Sequence, residues 1–168
     1  VVCGGGSGVL MLENYEHAIA RGAKIYGEIT GFGNVTDSGH IANPDKESMV
    51  RCMQKAMQES GVSHEEIDYV NAHATGTELG DIAESSAISK AVDDKTPVSS
   101  LKGHLGHTLG AAGSLELIGV LEMMERQEVL PTRNLENIDP DCNSSNLLTM
   151  KEKLKIDTVV KNNFHWEE

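Results

Sequence analysis

The sequence predicts an α/β fold with a mixed, mostly parallel sheet. Short apolar runs alternate with stretches of helical periodicity, and 17 glycines supply the turns between them. The apolar share is 39%, yet only two Phe, three Tyr and one Trp are present, so the core must rest on Leu, Ile, Val, Met and Ala. Strands separated by helices imply a parallel sheet covered on at least one face. A length of 168 residues suits one domain with its own core. Residues 1–168 contain no internal repeat, low-complexity tract or linker.

The first element is expected at Gly8–Glu13, a continuous apolar run that reads as a buried strand. Asn14 then caps a short helix over Tyr15–Ala20, which Gly22 stops. Ile25–Phe32 alternates as a second strand, and residues 33–44 have the Gly, Asn, Asp and Pro content of a surface loop. Met49, Met53, Ala56 and Met57 recur at helical spacing, predicting a helix from about Asp45 to Ser60 with a buried Met stripe, ended by Gly61. Tyr69–His73 is a short strand that delivers His73 into a Thr/Gly loop, and a polar helix follows from Gly80 to about Val92. Pro97–Lys102 is another strand. Gly103–Thr108 is a loop opening a helix over Leu109–Arg126, whose apolar face of Ala112, Leu115, Leu117, Ile118, Leu121 and Met124 predicts a central position. Leu147–Met150 and Thr158–Lys161 complete the strand candidates.

Charge and cysteine usage exclude several functions. A net charge of −12 and a pI near 4.9, with no basic cluster, argue against a nucleic-acid partner. Three cysteines, Cys3, Cys52 and Cys142, fit neither a disulfide framework nor a C-x-x-C motif. They read as reduced thiols, with Cys52 a small buried hydrophobe. No run approaches a membrane span and no basic-then-apolar signal opens the chain, so a cytoplasmic protein is expected. The first residues, Val1 to Gly4, read as a chain already in progress.

Two loops concentrate the chemistry. In Asn71–Asp81, His73 stands beside Thr75 and Thr77, where an imidazole N–H can donate to a developing oxyanion and the hydroxyls can hold an amide-bearing substrate arm. The bland alternative is a capping loop around a satisfied histidine. In Ser99–Gly113, Lys102 precedes His104 and His107 among four glycines, at the start of an apolar helix whose dipole favours anionic charge. The same G-x-x-x-G spacing also serves plain helix packing. Glu116, on the following helix, can reach back toward Lys102. His73, His104 and His107 could instead ligate zinc, but no cysteine or carboxylate falls at metal-finger spacing, so no metal or other cofactor is expected. A nucleophile is missing, since none of the three cysteines lies on a tight, activating turn.

Asn71–Asp81 (NAHATGTELGD) and Ser99–Glu116 (SSLKGHLGHTLGAAGSLE) together closely resemble the two histidine loops of the β-ketoacyl-acyl-carrier-protein synthases, condensing enzymes of the thiolase superfamily. Residues 4–33 and 129–142 extend the resemblance over nearly the whole chain. It implies one αβα half of a five-layered thiolase-like fold, with residues 1–168 as the C-terminal ketosynthase domain. It implies decarboxylative condensation of malonyl with acyl thioesters. His73 and His107 would stabilise the enolate, Lys102 would accompany them, and Glu116 would take the acidic position of the buried network. Thr75 and Thr77 fall where the family contacts the phosphopantetheine arm. The chain departs from the family in three places. Nothing corresponds to the half that carries the nucleophilic cysteine. The Phe-Gly-Phe-Gly-Gly gating loop and final strand give way to Asn162–Glu168, where Phe164 remains as the expected substrate-binding residue. Gly5 replaces an acidic residue.

The resemblance further implies acyl carrier protein, malonyl and acyl thioesters and a missing N-terminal half or partner subunit as partners. Self-association through an uncovered apolar face that contains parts of the Leu109–Arg126 helix, and an inactive isolated chain, are expected as well. A non-catalytic chain-length-factor-like subunit and a histidine-dependent metal hydrolase stand as alternatives.

Overall fold

The computed structural model describes residues 1–37, 44–142 and 145–164. Its centre is a four-stranded parallel sheet in the order β4-β2-β1-β6, formed by β1 (Tyr69–Asn71), β2 (Pro97–Ser99), β4 (Asn146–Leu147) and β6 (Val159–Lys161). A separate antiparallel pair joins β3 (Glu128–Val129) to β5 (Glu152–Lys153). Register across the centre sets Val70 against Val98 and Val160, and Asn71 against Ser99 and Lys161.

Alternation along β1 separates two cores. Val70 joins Val98 with Met49, Met53 and Met57 of α2 (Lys46–Ser60) and Ala87, Ile88 and Ala91 of α3 (Glu78–Ala91). Tyr69 joins Val120 and Met123 of α5 (Ala112–Arg126) with Val129, Leu148 and Ile156. Helices therefore cover both faces, and the αβα layering expected from the sequence is present. The Met stripe is buried as expected. Asp45 caps α2 by accepting from the Glu47 and Ser48 amides at 3.2 and 2.9 Å, and Gly61 ends it at φ +71°.

Two expected strands are absent among the described residues. Gly8–Glu13 and Ile25–Phe32 have no sheet partner, and Val9, Met11, Leu12 and Phe32 are exposed. Residues 1–37 form an arm whose only helix is α1 (Tyr15–Ala20), capped by Asn14 as expected. The arm meets the domain through its glycines. A Cβ on Gly31 or Gly33 would lie 2.1 Å from the carbonyl oxygen of Ala56 or Cys52, so only bare backbone fits against α2 there. Its large side chains point the other way, which is why apolar runs gave a false signal of burial.

The long helix also differs from expectation. Leu109–Ala111 is a 3₁₀ turn, with Leu109 at φ +52°, and the α-helix proper starts at Ala112. Its buried stripe is Ala112, Glu116, Val120 and Met123. Leu115, Leu117, Leu121 and Met124 are half-buried and Ile118 is exposed, because the arm covers part of that face with Gly6 on Leu115 and Gly27 on Leu121. Cys52 is half-buried rather than buried; it sits under the arm and donates its S–H to the Gly33 carbonyl at 3.2 Å. The expected loop over residues 33–44 is described only in part, since 38–43 lie outside the described residues.

Candidate active site

Both histidine loops leave the carboxyl ends of the two inner strands, where ligands of open α/β sheets gather. After β1 the chain places Ala72, hydrogen-bonded to the Ser99 carbonyl at 2.9 Å, and then His73. The turn is held by Glu84 of α3, 3% exposed, which accepts from the His73 amide at 2.8 Å, the Ala74 amide at 2.7 Å and Asn162 Nδ2 at 3.1 Å. Ala74 has φ +29°, a backbone state unfavourable for any residue with a Cβ, and the Glu84 carboxylate bonds both amides that flank the turn. Burial pushes the Glu84 pKa up, against the pull of those three hydrogen bonds.

After β2 come Ser100, Leu101 and the short helix α4 (Lys102–Leu105), and then His107. The His107 backbone bridges the arm in parallel fashion: its amide donates to the Val2 carbonyl at 2.7 Å and its carbonyl accepts from Gly4 at 3.0 Å. The Leu109 amide donates to His107 Nδ1 at 3.1 Å, which assigns the neutral ring proton to Nε2. The imidazoles of His73 and His107 meet edge to face, centroids 5.5 Å apart. Phe164 meets His73 in the same manner at 5.8 Å.

Behind this pair lies a buried charge cluster. Glu116, 1% exposed, is hydrogen-bonded through Oε1 to Lys102 Nζ and ion-paired through Oε2 with Lys161 Nζ at 2.7 Å. Oε2 has no directed hydrogen bond among the described residues, so the Lys161 contact is electrostatic.

The His73 pKa is pushed down to about 3, first by burial and then by repulsion from Lys102, from His107 whenever that ring is protonated, and from Lys161. A histidine lowered from about 6.5 binds fewer protons folded than unfolded, so its contribution to stability is complete above about pH 6.5 and lost as pH falls toward 3. Denaturant titrations between pH 7 and 4 should therefore show wild type losing stability by up to roughly 1.4 kcal/mol per pH unit relative to His73→Gln. Parallel pH curves for the two proteins would contradict the assignment.

His73, His107, Thr75, Thr77 and Phe164 line a cavity of about 260 Å³. The two threonine hydroxyls are 3.2 Å apart near its rim. A larger groove of about 470 Å³ near His64 and Asp93 shares no residue with it. Of the residues picked out in the sequence, His73, His107, Thr75, Thr77 and Phe164 thus meet at one cavity, with the Lys102–Glu116 pair nearby. His104 is engaged elsewhere: its Nε2 contacts the Pro131 carbonyl at 2.9 Å, and no group of His, Cys, Asp or Glu among the described residues could hold a metal ion. Burial raises the thiol pKa of Cys52, and that of Cys142 rises through burial and the neighbouring Asp81, Asp139 and Asp141. Neither is activated. The altered end His165–Glu168 lies outside the described residues.

Sequence reasoning missed Glu84, Lys161 and the arm's hold on His107. Only Lys161 left a trace, as a charge closing the apolar strand Val159-Val160.

An αβα unit with a histidine pair at the carboxyl ends of its inner strands agrees with the ketosynthase resemblance of the sequence. The family model for the β-ketoacyl synthase C-terminal domain matches residues 26–136, and the chain belongs to that family. It is 42% identical over 164 residues to 3-oxoacyl-[acyl-carrier-protein] synthase 1 of Escherichia coli, covering 97% of this chain and 40% of that protein. The crystal structure of a β-ketoacyl synthase from Burkholderia phymatum superposes with a TM-score of 0.88 at 43% identity, over 92% of this chain and 38% of the other. The ishigamide ketosynthase/chain length factor superposes with a TM-score of 0.90 at 35% identity, over 95% and 40%. The chain thus spans about two fifths of the length of these relatives.

Proposed function

We propose that residues 1–168 form the C-terminal, decarboxylating part of a β-ketoacyl-acyl-carrier-protein synthase. The observation that carries this reading is the edge-to-face His73–His107 pair at a cavity wall, backed by buried lysines. As the malonyl carbon–carbon bond breaks and carbon dioxide leaves, the electron pair moves onto the thioester carbonyl oxygen, where two imidazole N–H groups receive it. The enolate carbon then attacks an acyl thioester held on a thiolate, which leaves with the bonding pair. Thr75 and Thr77 at the rim hold the pantetheine arm, and Phe164 closes the wall over His73.

The thiolate comes from outside this chain, because Cys52 and Cys142 are deactivated and Cys3 stands exposed on the arm. The apolar outer face of the arm, with Val9, Met11, Leu12 and Phe32, is the surface that the nucleophile-bearing half or a second copy covers. Acyl carrier protein delivers both substrates, in the cytoplasm; among the described residues no helix is long and apolar enough to cross a membrane. The likeness to a ketosynthase/chain length factor favours a second reading, a non-catalytic partner subunit. The retained histidines and Lys102 weigh against it.

Incubating the complete polypeptide with acyl- and malonyl-carrier protein should give the β-ketoacyl product. The 168-residue chain alone should give neither product nor an acylated cysteine. Condensation by this chain alone, abolished by replacing Cys3, Cys52 or Cys142, would refute the division of labour.

A further inference from the structure

We propose that Lys161 is a positioning residue of the histidine site: it shares the buried Glu116 carboxylate with Lys102 and so leaves a net positive charge behind His73 and His107. The catalytic consequence rests on the condensing-enzyme reading; the electrostatic one does not.

Three elements bring the group together. Lys102 opens α4, Glu116 lies on the buried stripe of α5, and Lys161 ends β6 in register with Asn71, two residues before His73. The Lys161 side chain is 14% exposed and those of Lys102 and Glu116 are 4% and 2% exposed. Within the ion-paired trio one carboxylate neutralises one ammonium, and Lys102 alone would suffice to balance Glu116; the Glu84 carboxylate is engaged instead by the His73 and Ala74 amides and Asn162. Lys161 is therefore a second cation in a dry place, where an unneeded charge is costly. The charged groups facing it are Glu116 from α5, Lys102 from α4 and Glu84 from α3, and its Nζ also donates to the Asn162 carbonyl at 3.0 Å. Burial lowers its own pKa while Glu116 holds it up.

The surplus charge has two effects on the same site. It opposes protonation of His73 and so keeps the ring in its neutral form, which donates through a single N–H. It also stabilises negative charge as that charge develops on a substrate oxygen, in surroundings where a fixed charge acts strongly. Lys161 reaches no substrate in this arrangement; it acts through Glu116 and the field it adds.

The test is an NMR titration of labelled histidine side chains in the complete polypeptide, comparing wild type, Lys161→Met and Lys161→Arg. Lys161→Gln replaces the methionine variant if that one does not fold. Removing the charge should raise the His73 pKa by about one pH unit or more, and Lys161→Arg should keep it near the wild-type value. Decarboxylation of a malonyl thioester should fall roughly tenfold in kcat with KM unchanged, and recover with arginine. A His73 titration identical in all folded variants, or one moved equally by arginine and methionine, would overturn the proposal. The titration is read without turnover, so it judges Lys161 even if malonyl decarboxylation proves absent.

Discussion

Replacing His107 or His73 by alanine is expected to lower malonyl decarboxylation by about 10²–10³-fold while the protein stays folded, the loss typical of removing one donor aimed at a developing oxyanion. His107 should show the effect most cleanly. Its ring is oriented by the Leu109 amide on Nδ1, so Nε2–H is the donor lost, and its backbone bonds to Val2 and Gly4 do not need the side chain. His73→Ala also removes the edge-to-face contact with Phe164, so part of its loss should appear in KM. The measurement is carbon dioxide release from malonyl-carrier protein by the complete polypeptide. Decarboxylation within a factor of three of wild type in both variants would remove these residues from the chemistry.

Glu116→Gln should cost the fold about 3–5 kcal/mol, the penalty for stranding buried charge by deleting one partner. Among the described residues Glu116 is the sole carboxylate in an ion pair with Lys102 and Lys161. Taking it away leaves two ammoniums facing each other. Lys102→Met should cost clearly less, since Lys161 stays to balance the carboxylate. Denaturant unfolding near neutral pH distinguishes the two, and equal losses would mean that the shared arrangement does not contribute to stability as described. Because Glu116 and the lysines belong to one cluster, their effects should not add.

The site was largely legible in the sequence because its main parts are local. A loop at the end of a strand keeps its residues contiguous, so His73 with Thr75 and Thr77, and Lys102 with His107, stand as visible clusters. Glu84 was invisible, and Lys161 marked only by its charge at a strand end, for the opposite reason. What makes each of them matter is a partner contributed by a distant segment, Glu84 to the His73 amide and Lys161 to Glu116, and no spacing encodes that meeting. The inner strands and α2 were legible from periodicity and caps. Residues 8–13 and 25–32 were misread because an apolar run was taken as a sign of burial, whereas the arm packs through its glycines and leaves Val9, Met11, Leu12 and Phe32 exposed. The buried stripe of α5 was misplaced for a related reason, since a carboxylate held by two lysines occupies a position that periodicity reserves for an apolar residue.

The parallel bridge between the arm and His107 makes two remote events thermodynamically reciprocal. Both backbone partners of His107, the Val2 carbonyl and the Gly4 amide, belong to the arm, and Gly4 fits so closely that a Cβ there would lie 2.2 Å from the Leu105 carbonyl oxygen. Whatever binds the arm so as to fix residues 2–4 therefore also restrains the backbone of the histidine. By linkage, a ligand that orders His107 must tighten that outer contact by the same factor.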